Sequence, residues 1–383
     1  MTATTVTNPS VAGAKTRLIS LDVLRGITIA FMILVNNNGS ESAYWPLKHS
    51  AWNGWTPTDL VFPTFLFVAG VSLVFSFESR LARGVSKTSL FLHALRRSVI
   101  LFLLGLVVNG FPFFHWPTLR IYGVLQRFAV CLLIASVLYL WSRGKKVGTI
   151  VSVTVAALIG YWIIMRWVPV PGYGLPTRDI PLLDKDANWV AYIDRHIFPG
   201  RLYEGTRDPE GLLSDLPALG TALLGMLTGM WLRAKKSDQA KFIGLFAAAI
   251  ACLLLGKIWG HWFPINKKLW TSSYVFFAAG CSLLGLSICY WLIEIKKWKR
   301  GWTFPWLVFG SNAIALYVFS ELLPSLFGHV HVGTRTLGQF IYAHVFAHIP
   351  DPALASLGWS LAFVAVCFIP GLILYKKKIF IKI

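Results

Sequence analysis

The sequence predicts an all-α, polytopic membrane protein, a bundle of about ten transmembrane helices with both ends of the chain on the cytoplasmic side. Three observations carry that prediction. Stretches of mostly apolar residues, each close to the roughly 20 residues of helix that a bilayer core requires, punctuate the 383-residue chain. The short segments between them carry Lys and Arg in alternating excess. Finally, 56% hydrophobic against 14% charged residues, with a mean hydropathy of +0.62, is more apolar surface than a soluble domain can hide.

In chain order the spans are expected near 18–35, 59–78, 98–114, 121–141, 148–167, 212–232, 242–261, 270–294, 303–327 and 354–375, the third of marginal length. The connections on one side are basic. They hold Lys15 and Arg17; Arg80, Arg83, Lys87, Arg96 and Arg97; Arg143, Lys145 and Lys146; Arg233, Lys235, Lys236 and Lys241; Lys296, Lys297, Lys299 and Arg300; and Lys376, Lys377, Lys378 and Lys382. Basic residues resist translocation, so this side is cytoplasmic and the number of spans is even. The long segment 169–212 is then external. Long loops translocate largely regardless of charge, so its Arg178, Lys185, Arg195, Arg201 and Arg207 are compatible with that side.

Residues 1–17 read as a disordered cytoplasmic N-terminus and 18–383 as one transmembrane domain. The first span carries Asp22 and Arg25 and no small-residue cleavage site follows it, so it reads as a retained helix. Gly225 and Gly229 in the sixth span have the GxxxG spacing that lets helices approach closely. The net charge of +20 raises nucleic acid as a partner, but positive-inside topology and anionic headgroups account for basic residues at span ends, and no nucleic acid is expected. Cys131, Cys252, Cys281, Cys289 and Cys367 fall within spans without paired spacing, so neither a disulfide framework nor a zinc site is indicated.

Ionisable groups at membrane depth are costly, and those present pair with one another or do chemistry. Asp22 and Arg25, three apart on one helix face, either neutralise each other or meet a ligand. Asn36, Asn37 and Asn38 end that helix on the outside. The run RIYGVLQR puts Arg120 at the outer end of the fourth span and Gln126 and Arg127 about 10 Å deeper. Arg127 is too deep to reach water and needs a partner in the core. In GSNAIALYVFSELL, Ser311 and Asn312 fall in the inner half of the ninth span and Glu321 in the outer half; a buried Asn that only bridges helices is the commoner case. Asn266, Lys267 and Lys268 lie beside Trp270 in an external turn, which an interfacial anchor would also explain.

The external segment YWPLKHSAWNGWTPTDLVFP is the most unusual. It places His49, Asn53 and Asp59 among Trp45, Trp52 and Trp55. A lone His in a loop commonly has no function. Here it lies among aromatics of the kind that stack on sugar faces, with a carboxylate ten residues on that could orient the imidazole. A group titrating near neutrality can take a proton from an attacking amine or hydroxyl.

The ordered motifs RLISLDVLRG, KHSAWNGWTPTDLVFPTFLFVAG, RIYGVLQR, VPVPG, YIDR, DPEG, PINKKLW, GSNAIALYV and LYKKKIF closely resemble the heparan-alpha-glucosaminide N-acetyltransferase family of transmembrane acyltransferases, including bacterial members linked to amino-sugar metabolism. The match runs from Arg17 to the last residue and is weakest over 172–189 and 328–351. The resemblance implies an enzyme that takes acetyl from cytosolic acetyl-CoA, its co-substrate, and delivers it to the amino group of a glucosamine-containing sugar on the external face. It also implies a homodimer, and no metal is needed. It makes His49, in the KHxxWNG motif, the active-site base or acyl acceptor. Asn36 becomes its partner, with Asn37 or Asn38 as alternatives because the loop is two residues longer than in animal members, and Asp59 is a further catalytic position. Arg25, Arg127, Ser311 and Asn312 are expected toward the CoA, and Trp52, Asn53, Arg120, Glu210, Asn266 and Lys268 toward the sugar. The CoA nucleotide would rest among basic side chains at the inner mouth, its pantetheine arm running up an intramembrane tunnel toward His49.

Two chemistries follow from that placement: direct attack of the amine with His49 as base and Asn36 steadying the oxyanion, or an acetyl-His49 intermediate. Read from the residues alone, an amino-sugar permease is the competing function, since Arg127, Asn312 and the external aromatic cluster suit one too. Against it stand the absence of a repeat relating two halves and the concentration of unusual residues in one external loop. The length, without the extra luminal domain and preceding span of the animal lysosomal members, leads to the expectation of a bacterial cytoplasmic membrane.

Overall fold

The computed structural model describes residues 18–142, 144–299 and 301–381, so the expected disordered segment 1–17 lies outside the described residues. The chain forms α1 (Ile19–Asn36), α2 (Val61–Leu81), α3 (Lys87–Gly110), α4 (Val124–Trp141), α5 (Lys146–Trp167), the short α6 (Trp189–Ile197), α7 (Asp215–Arg233), α8 (Asp238–Gly260), α9 (Ser272–Tyr290), α10 (Thr303–Ser311), α11 (Ala313–His329), a two-residue hairpin of β1 (His331–Val332) and β2 (Arg335–Thr336), α12 (Leu337–Val345) and α13 (Pro352–Lys376). Among the described residues nine helices are long and apolar enough to cross a membrane. The pair α10 and α11, bent by 81°, passes the same test together and brings the number to ten when counted as one broken span.

Two spans differ from the expectation in instructive ways. The third begins at Lys87, where Ser86 caps it by accepting from Ser89 N at 3.1 Å, and not near residue 98. Lys87, His93, Arg96 and Arg97 depress the local hydropathy and disguise three turns of helix as a loop, so Arg96 and Arg97 belong to the helix and not to a connection. The ninth is interrupted at Asn312 (φ −127°, ψ 41°). The Asn312 side chain serves the C-terminal tail there, donating to Ile379 O at 3.0 Å and accepting from Ile381 N at 2.8 Å.

The bundle is sorted by burial. Within their apolar windows α7 is 72% and α1 67% buried, against 17% for α8 and 22% for α3, α5 and α13, so the first two form the centre and the others face lipid. Close approach at the centre rests on small residues. A methyl group on Gly225 would meet the Phe67 carbonyl oxygen at 2.1 Å, and one on Gly70 would meet that of Ala222 at 2.1 Å, so α2 and α7 touch backbone to backbone through the predicted small-residue face.

Candidate active site

The segment between α1 and α2 is organised by one carboxylate. Asp59 sits in a 3-10 turn, Pro57–Leu60, that leads straight into α2. Its Oδ2 accepts from the backbone N–H of Thr56 at 2.9 Å and of Ser50 at 3.0 Å, and its Oδ1 lies 2.6 Å from His49 Nδ1. Asp59 is buried, whereas the His49 side chain is 46% exposed. A carboxylate only accepts, so His49 carries its proton on Nδ1 and presents the Nε2 lone pair outward. That is the orientation a general base or a nucleophilic imidazole needs.

His49 faces a cavity of about 410 Å³ that also takes Asn36, Arg120, Glu210, Lys268 and Glu321 into its lining, with Tyr203, Glu204 and Lys267. Most of its charges are answered from within. Arg120 reaches Asp208 through Nε at 2.8 Å and Nη2 at 2.5 Å, and Glu210 through Nη2 at 2.7 Å. Lys268 Nζ is 2.7 Å from Glu204, and Lys267 Nζ is 3.9 Å from Glu210. Burial works against the charge on Arg120, but Glu210 and Asp208 outweigh it and hold the guanidinium above its ordinary value. Burial likewise opposes ionisation of Glu210, yet Lys267 and Arg120 keep it ionised well below the usual carboxylate range. Asn36 Nδ2 donates to Glu321 Oε1 at 2.9 Å.

The core partner that Arg127 requires is Asp215, reached through Nε at 2.9 Å. The same guanidinium donates to Pro209 O at 3.3 Å, to Gly211 O at 2.8 Å and to the Ser214 hydroxyl, and it lies 5.0 Å from the Trp270 ring centroid. Arg127 is completely buried and lines neither of the two cavities described here. It ties the loop that carries Asp208 and Glu210 to α4. Trp52, Asn53 and Asn266 also stand outside the cavity lining. Trp52 Nε1 donates to Leu183 O at 2.9 Å, Asn266 Nδ2 donates to Asn53 Oδ1 at 3.2 Å, and Gly54 N donates to Ile265 O at 2.8 Å. Together they pin the His49 loop to its neighbours.

A second cavity, of about 270 Å³, lies on the same helices toward the other end of the bundle. It brings together two of the residues expected near CoA, Arg25 and Ser311, with Arg80, His93 and Arg97; Asn312 is outside its lining. Arg25 pairs with Asp22 and reaches toward Gly310 O at 3.5 Å. Arg97 Nε and Ser72 Oγ are buried without a hydrogen-bond partner among the described residues. A partition about one helical turn thick, roughly 5 Å by helical rise, separates the cavities. Phe62, Gly105, Leu125 and Tyr317 face the outer one, while Phe65, Leu101, Phe128 and Ile314 face the inner one. Phe65 and Phe128 are stacked there, with ring centroids 5.0 Å apart.

Sequence reasoning left Glu204, Tyr203, Lys267 and Glu321 out of the outer site and Arg80, His93 and Arg97 out of the inner one. His93 and Arg97 are one turn apart on α3, a signal visible only once the helix is started at Lys87. Among the described residues no group of three or more His, Cys, Asp or Glu is placed to hold a metal ion.

The family model described as heparan-alpha-glucosaminide N-acetyltransferase, catalytic, matches residues 17–258. The chain is 31% identical over 416 positions to the heparan-alpha-glucosaminide N-acetyltransferase of Mus musculus and 30% identical over 417 positions to that of Homo sapiens. Each alignment covers 96% of this chain, which spans 60% of the length of those relatives.

Proposed function

The chain belongs to the heparan-alpha-glucosaminide N-acetyltransferase family, and from that premise we propose that it moves acetyl from acetyl-CoA, taken up at the basic end of the bundle, to the amino group of a glucosamine-containing sugar held in the outer cavity. The observation that carries this reading is the stacking of two unlike cavities on shared helices. One is lined by Arg80 and Arg97, which have no ion-pair partner among the described residues, beside the Asp22-paired Arg25, the other by an oriented imidazole, and a single turn of mostly apolar residues separates them.

In this reading the cytoplasm faces the basic end. The CoA phosphates meet Arg97, Arg80 and Arg25, since guanidinium forks match phosphate oxygens. The thioester arm follows the α2–α3–α4 seam past Ser72, Ser98 and Ser136 and crosses the partition where the Phe65–Phe128 stack parts. Gln126, at that level, has a buried Oε1 without a partner among the described residues and suits an amide N–H of the arm. In the outer cavity the sugar nitrogen attacks the thioester carbon. The N–C bond forms and the C–S bond breaks. His49 Nε2 takes the proton from nitrogen and returns it to the leaving sulfur, while Asp59 stabilises the imidazolium. The second N–H of Asn36, the one not spent on Glu321, steadies the oxyanion. Direct transfer is favoured over an acetyl-His49 intermediate because one imidazole nitrogen faces the cavity, and it cannot carry the acetyl group and accept the amine proton together.

The test is purified protein in detergent with acetyl-CoA and a panel of amino sugars, read by mass spectrometry. N-acetyl sugar and free CoA are expected in equal amounts. Unchanged acetyl-CoA beside protein-bound, unmodified sugar would instead point to a permease.

A further inference from the structure

One carboxylate lining the outer cavity has no ion-pair partner among the described residues; Arg120, already held by Asp208 and Glu210, acts on it only from beyond ion-pair distance. Glu210 faces Arg120 and Lys267, Glu204 faces Lys268 and Arg207, Asp208 faces Arg120, and Asp59 faces His49. Glu321, on α11, lines the same cavity, and its side chain accepts from the Asn36 amide at 2.9 Å. No Lys, Arg or His among the described residues lies within ion-pair distance of it. A carboxylate at membrane depth with one face open to a cavity is a place for a cation that arrives with the ligand.

We propose that Glu321 binds the acceptor's ammonium group and takes its first proton, which makes it a second catalytic residue beside His49. The inference rests on the acetyl-transfer reading and deepens it. A sugar amine, like an α-amino group titrating at roughly 7.7–8.0, is largely protonated near neutral pH and then has no lone pair with which to attack. Two protons must leave nitrogen in all, one before the N–C bond forms and one after. His49 has one basic nitrogen facing the cavity, because Nδ1 is committed to Asp59. That nitrogen handles the second proton and passes it to the CoA sulfur. The first needs another acceptor. The ammonium gives it to Glu321, leaving a free amine and a neutral carboxyl, and the carboxyl then releases it to the external solvent, which accounts for the one proton the overall reaction liberates. Asn36 belongs to the same device. A carboxylate fixes which end of the amide faces it, so Glu321 also sets the orientation of Asn36.

The experiment uses the full chain in detergent, wild type against Glu321→Gln and Glu321→Asp. It measures steady-state transfer to glucosamine and, without acetyl-CoA, direct binding of glucosamine and of glucose, its neutral analogue. Glu321→Gln keeps the shape and the partner for Asn36 but removes the charge. The KM for glucosamine is expected to rise about 10-fold or more, the binding preference for glucosamine over glucose to disappear, and the activity optimum to move to higher pH, where the amine is already free; the acetyl-CoA affinity should stay unchanged. Glu321→Asp should recover the amine preference and part of the activity, and it carries the test if the Gln variant elutes as an aggregate. Wild-type KM, preference and pH optimum in Glu321→Gln would overturn the proposal while leaving acetyl transfer standing. A wild type that acetylates no amino sugar, yet prefers glucosamine to glucose in a way that needs Glu321, would sink the transfer reading and keep the ammonium site.

Discussion

Around the outer cavity Arg120, Lys267 and Lys268 are each met by Asp208, Glu210 or Glu204, whereas the lining of the inner cavity holds Arg25, Arg80, His93 and Arg97 and no carboxylate. The contrast separates two ways of using charge. Internal pairing fixes geometry in advance, so the outer site has its polar atoms placed before any ligand arrives and its remaining openings are few and specific. On the inner side Arg25 is met by Asp22, but Arg80 and Arg97 have no ion-pair partner among the described residues, and such cations in a partly dry site are completed by an anionic ligand, which gains what burial cost the protein. Within the proposed reaction the first arrangement suits bond making and the second suits holding a multiply charged CoA.

The sharpest way to break the comparison is to remove a pair on the outer side. Arg127→Met leaves Asp215 buried without its cation and frees the 209–215 loop. Breaking a buried pair by removing one partner costs about 3–5 kcal/mol, so a large drop in thermal unfolding temperature in detergent is expected, together with loss of transfer. A variant as stable as wild type would show that the outer network does not hold the site. Next in size is His49→Ala. Turnover should fall about 100-fold, as for loss of a positioned proton-transfer group, with acetyl-CoA affinity retained, because the inner cavity is lined without His49. Steady-state kinetics beside acetyl-CoA titration separates the two quantities.

On the inner side Arg97→Gln is expected to weaken acetyl-CoA about 30-fold, which is about 2 kcal/mol and within the range for a hydrogen bond to a charged group. Its dependence on ionic strength should flatten at the same time, while glucosamine binding stays as it was. Calorimetric titration at two salt concentrations measures both. An Arg97→Gln protein with wild-type acetyl-CoA affinity would remove the functional half of the contrast and leave the inner basic residues to topology.

The sequence displayed these two regions unequally. The bundle was legible because lipid imposes a length and a sidedness on every span, and α1, α2, α4, α5, α7, α8, α9 and α13 fall close to their expected positions, whereas the short α6 was not foreseen. His49 and Asp59 were legible because they are ten residues apart in one loop, and Arg25 with Asp22 because they share a helix turn. Arg97 was hidden because its own charge broke the hydropathy signal that would have revealed its helix. Trp52, Asn53, Asn266 and Arg127 carry the right chemistry for a site, but their polar groups are committed to neighbouring loops, and only tertiary geometry shows a polar side chain already spent. Glu321 shows the reverse: its importance lies in which cation fails to reach it, and no spacing rule encodes that.

The smallest expected effect tests whether external loop packing, as distinct from ion pairing, contributes to the outer side. Asp194 in α6 is fully buried behind the 209–215 loop, its Oδ1 accepting from Leu212 N at 3.0 Å and its Oδ2 without a partner among the described residues. Burial pushes its carboxyl up to about 7, with Asp208 adding to the rise and Arg127 opposing it. The folded state therefore prefers the neutral acid. The stability this contributes is complete below the ordinary value of 3.8 and is lost as pH rises through about 7. Between pH 6 and 8 the unfolded chain is ionised throughout, while the folded group passes from mostly protonated to mostly ionised. The loss over that interval is about 1.4 kcal/mol, one tenfold step in the equilibrium. Asp194→Asn keeps a neutral side chain of the same shape at every pH, so its unfolding temperature relative to wild type should climb from pH 6 to pH 8. A difference that stays flat, or runs the other way, would mean that Asp194 is ionised in the folded protein and that the outer loops, like the cavity beneath them, are held by charge.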